Sequence, residues 1–141
     1  MPWETQITDW DGVTEVPNRK WYNFADLNRV EGNTDAVADL IATYATKPTL
    51  FGLLTTRDMT AIEFFDSLDR VEGNILVLRN ASYQPPGWIT PVTNWASRDP
   101  FDYTDANRLE SNLQALHSLI NNIKSSFKYS GTFSSGQDIV L

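Results

Sequence analysis

No cysteine occurs anywhere in the chain, which excludes disulfide frameworks, thiolate nucleophiles and zinc sites built on sulfur. The redox compartment is left open by that absence. Positive charge is scarce: Lys plus Arg is 11 against 18 for Asp plus Glu, a net charge of −7. That sign repels phosphate backbones and anionic bilayers, so neither nucleic acid nor a membrane surface is an expected partner. No stretch approaches the ~20 apolar residues that a membrane span needs. The glycines are isolated or flank turns, so no phosphate-cradling loop is present. The opening MPWETQITDWDG lacks the basic and apolar regions of a signal peptide. The expectation is a chain that works where it is made or travels within a larger assembly.

What is present is globular in composition. Of 141 residues, 41% are hydrophobic and 21% charged, enough for one domain with a modest core. The most informative feature is self-similarity. NRVEGN (from Asn28), DRVEGN (from Asp69) and NRLESN (from Asn107) recur at intervals of 41 and 38 residues. An aromatic precedes each by four positions (Phe24, Phe65, Tyr103), and Val37, Leu78 or Leu116 follows by nine.

Each copy reads as an amphipathic helix. Ala106, Leu109, Leu113, Leu116, Ile120, Ile123 and Phe127 alternate in steps of three and four, the spacing of a helix-packing seam. Leu27, Val30, Thr34, Val37, Ile41 and Tyr44 repeat it in the first copy, and Phe64, Leu68, Val71, Ile75 and Leu78 in the second. Asn23 and Asp102 are N-cap candidates, and Thr60-Ala61-Ile62-Glu63 has the capping-box pattern. Pro48 and the run Pro85-Pro86-Gly87 should stop the first two helices. The spacing predicts a mainly α fold, with helices over about 24–46, 60–81 and 103–127 packed as a bundle or across subunits. Residues 1–128 form the helical repeat domain, with Trp-rich loops, and 129–141 a β-prone docking segment.

The polar residues of the motif have expected structural tasks. Arg29 and Arg108 can reach Asp26 and Asp105 one turn back, and Asp66 can serve Arg70. Glu31, Glu72 and Glu110, with Asn33, Asn74 and Asn112, border the seams, where polar groups can fix register by cross-helix hydrogen bonds. These residues and the three arginines are the candidate interaction residues. Gly32 and Gly73 lie mid-helix at a cost of about 1 kcal/mol each, which suggests close approach of another backbone.

The stretches WYNFADLNRVEGN and WASRDPFDYTDANRLESN have the form aromatic-x-Asp-x-Asn-Arg-(Val/Leu)-Glu-x-Asn after a tryptophan. They resemble sequences in tail, baseplate and fibre-associated proteins of phages and prophages of Gram-positive bacteria. The resemblance covers about two-thirds of the chain and is weakest in the second copy, which has Asp69 for asparagine and no tryptophan at matching distance. It implies a virion component assembled in the host cytoplasm, with other virion proteins as partners, and it carries over no catalytic residue.

Trp3, Trp10, Trp21, Trp88 and Trp95 all fall outside the helices. They are expected to cover the ends of the bundle, with indole N–H groups on loop carbonyls, Trp21 and Trp95 holding comparable places. The competing use is a stacking platform for host-surface carbohydrate. In the last segment, short β-prone runs end in the apolar Ile139, Val140 and Leu141, candidate docking residues for a neighbouring subunit or partner. His117, beside the seam, is expected to pack rather than catalyse, since a catalytic histidine needs a nucleophile and an orienting acid beside it. Paired carboxylates could serve a cell-wall hydrolase, but a glutamate repeated with its helix answers a need of the helix. The expectation is therefore a non-enzymatic structural or assembly protein and homo-oligomer, without cofactor or metal; a carbohydrate-binding adaptor is the alternative.

Overall fold

Three helices form where the seams predict them: α1 (Phe24–Ala42), α2 (Phe65–Asn80) and α3 (Tyr103–Tyr129). The structure, a computed structural model, describes residues 2–57, 65–95 and 101–129, the side chains of 65, 66 and 127–129 excepted. The start predicted for the second helix at 60, its Thr60 capping box and the whole segment 130–141 lie outside these residues.

Asn23 caps α1 by accepting from the Ala25 amide at 2.9 Å, while the Asp26 carboxylate accepts from the Asn23 amide at 2.9 Å. Asp102 and Asp105 build the same reciprocal cap on α3. α1 stops four residues short of the predicted 46. There the Thr43 hydroxyl donates to the Leu40 carbonyl at 2.6 Å, and the Thr43 and Tyr44 amides turn to carbonyls three residues back. That competition ends the regular ladder before Pro48 is reached.

The three seams meet one another inside the chain. Leu27, Val30, Val37 and Ile41 of α1, Val71, Ile75 and Leu78 of α2, and Leu109, Leu113, Leu116 and Ile120 of α3 form one buried cluster. Equivalent motif positions face each other, so the helices run in the same direction and at the same level around an approximate threefold axis. Parallel neighbours cannot be joined by tight turns, and residues 43–57 and 81–95 carry the chain from the trailing end back toward the leading end. Among the described residues there is no strand. Aligned on the motif, α1 ends level with Asn121 and α2 level with Ser118, so the last turns of α3 stand beyond both.

Four aromatics close the leading end. Trp10 meets Tyr22 edge-on at 4.9 Å, Tyr22 meets Phe101 at 5.3 Å, and Phe101 meets Trp95 at 5.7 Å. Trp10 and Trp95 are buried, whereas Trp21 is exposed. The equivalent pair is thus Trp10 and Trp95, not Trp21 and Trp95, and the place is decided by what precedes each helix.

Candidate functional site

The motif residues are organised by three extended segments that lie in the grooves between helices. In segment 4–10 the Glu4 peptide is gripped by Asn33 of α1, whose amide accepts from Glu4 N–H at 2.7 Å and donates to its carbonyl at 2.8 Å. Three residues on, Ile7 N–H donates to the Glu110 carboxylate of α3 at 3.2 Å. Three further on, Asn107 of α3 grips the Trp10 peptide in the same two-armed way, at 2.8 and 2.7 Å.

The other grooves repeat the pattern. Between α2 and α1, Asn74 grips Phe51 and Asn28 grips Arg57, each through both peptide groups. Between α3 and α2, Asn112 grips Ile89, Glu72 accepts from Val92 N–H at 3.0 Å, and Asp69 accepts from Trp95 N–H at 3.0 Å. A carboxylate has no N–H to donate, so the Asp69 grip has one arm where the others have two. Each two-armed grip stabilises by about 1–3 kcal/mol net, at about 0.5–1.5 per hydrogen bond.

The Arg and Glu of the motif close a ring across the helices. Arg29 of α1 reaches Glu110 of α3, Nη2 to Oε1 at 2.6 Å. Arg108 of α3 reaches Glu72 of α2, Nε to Oε2 at 3.0 Å with a second, closer contact. Arg70 of α2 reaches Glu31 of α1 at 3.0 Å, and Arg57 adds a contact to Glu31 at 2.5 Å. Asp26 and Asp105 hold Arg29 and Arg108 from behind at 2.9 and 2.8 Å. The three glutamates retain 2% exposure or less, so removing Arg29 or Arg108 would leave a carboxylate away from water without its guanidinium, whereas Glu31 has two.

Burial works against the Arg29 charge, but Glu110 and Asp26 outweigh it and push the guanidinium further up; Glu72 and Asp105 do the same for Arg108. Burial pushes the Glu110 carboxyl up, opposed by the Trp10 indole, Arg29 and the Ile7 amide. The Trp10 indole N–H donates to Glu110 Oε2 at 2.6 Å. The expected loop carbonyl is displaced there because a carboxylate is the stronger acceptor. Close backbone approach does not explain Gly73, where an added Cβ would meet nothing within 4 Å.

No family model, curated protein or solved structure matches this chain.

Two features stand outside the threefold pattern. The first is the loop 11–21, which is six residues longer than the sequence allots between segment and helix in the other copies. It is braced throughout: Asp11 accepts from Val13 and Thr14 N–H, Asp11 and Gly12 N–H donate to the Arg19 carbonyl, and Asn18 both accepts from and donates to the Trp21 peptide. Gly12 has φ +72 and its Cα faces the Tyr103 ring, so a side chain there would be strained and crowded. On this rigid base Val13, Val16 and Trp21 stand 73%, 89% and 55% exposed.

The second is a groove of about 280 Å³ lined by Trp3, Ala36, Asp39, Leu40, Thr43 and His117. Trp3 stacks on His117 with ring centroids 3.8 Å apart and planes 9° from parallel. Burial pushes the His117 pKa down, which keeps the ring neutral near pH 7. In the other two helices the position of His117 is held by Ala38 and Arg79, so the stacked imidazole is not repeated there.

Among the described residues no group of three or more His, Cys, Asp or Glu side chains is placed to hold a metal ion, and no helix is long and apolar enough to cross a membrane. All nine helical interaction candidates are engaged within the chain; Ile139, Val140 and Leu141 lie outside the described residues. Sequence reasoning missed the segments, although Ile7-Thr8-Asp9-Trp10, Leu54-Thr55-Thr56-Arg57 and Val92-Thr93-Asn94-Trp95 are visibly related.

Proposed function

We propose that the chain is a non-enzymatic structural module of a phage particle, from its tail, baseplate or fibre region, acting through contacts with other virion proteins. The observation that carries this reading is the closed Arg–Glu ring. The three motif glutamates are each committed to a guanidinium on a neighbouring helix, at equivalent positions in all three copies. Catalysis needs a group once and able to change its bonding; these groups occur three times and brace the fold. The resemblance of the motif to tail and baseplate proteins points the same way.

The carbohydrate-adaptor reading has less to stand on. Trp10 and Trp95 are buried and Trp3 and Trp88 pack against the core, which leaves Trp21 as the tryptophan with a largely exposed ring. Composition of purified particles tests the proposal: the chain should be recovered at a fixed stoichiometry with tail proteins. Its absence from intact particles, or turnover of wall polysaccharide by the purified chain, would overturn it.

A further inference from the structure

We draw no further inference here: the strongest candidate, the groove beside the last turns of α1 in which Trp3 stacks on His117, carries nothing because nothing in the structure shows what covers it.

Discussion

Replacing Gln6 with leucine should stabilise the protein. Gln6 occupies the third position of its segment, where the other two have Leu53 and Pro91. It keeps 8% exposure, and neither atom of its side-chain amide meets a hydrogen-bond partner. An unpaired buried polar group costs about 1–3 kcal/mol, and a leucine of similar size removes that cost while adding apolar contact. Gln6→Leu should therefore raise the unfolding free energy by about 1–3 kcal/mol. For a chain of this size that is a rise in Tm of roughly 3–5 °C per kcal/mol. Urea titration followed by circular dichroism gives the free energy, and an unchanged slope shows that the unfolded state is unaffected. Gln6→Glu should move the midpoint the other way, because it places a charge in the same site. A midpoint for Gln6→Leu at or below wild type would refute the reasoning, since the amide would then have to be satisfied in solution.

The ring should respond unequally to truncation. Arg29→Ala and Arg108→Ala should each cost about 3–5 kcal/mol by stranding a buried glutamate. Arg70→Ala should cost least, because Arg70 is 26% exposed and Glu31 keeps Arg57; equal losses in chemical denaturation would count against the ring as described. Gly73→Ala should stabilise α2 by about 0.5–1 kcal/mol, since helix propensity improves and the Cβ has room; a lower Tm would show a contact there. His117 links stability to pH. Its folded pKa lies below its ordinary ~6.5, so its contribution is present above that value and lost as pH falls through the folded pKa. His117→Phe, which can still stack on Trp3, should flatten the decline in Tm between about pH 7 and pH 5. Asp11, Asp39 and Asp102, all held low in the fold, add their losses only in more acid solution. A parallel decline in variant and wild type would exclude the histidine as its source.

The helices and their seams were legible because helical burial leaves a three–four spacing that survives in the letters, from Leu27 to Ile41 and from Ala106 to Ile120. The caps at Asn23 and Asp102 were legible because few side chains can do that work. The extended segments were not, and their anchoring explains it. Glu4, Ile7, Phe51, Ile89 and Val92 are held by their peptide groups, which every residue but proline supplies, so their side chains record little. Pro91 sits where no N–H is required of it. The six extra residues in the first copy also put the segments out of phase with the motif, at intervals of 47 and 38 where the motif has 41 and 38. Arg57, standing where the others have tryptophan, hid the last shared position. The ring needed the same missing knowledge: Arg29 looks local beside Asp26, and only a parallel arrangement brings Glu110 to it.

Joining three equivalent helices in one polypeptide has a consequence for dilution and for change. Three separate copies would hold together only above a threshold concentration, whereas here the partners are tethered and the bundle folds as readily in one molecule as in many. Three identical copies would also repeat every substitution at three places around the axis. In this chain each third can be altered alone. One acquired a longer loop, one an imidazole against Trp3, and one an arginine in place of a buried indole, with the remaining two-thirds left to hold the shape.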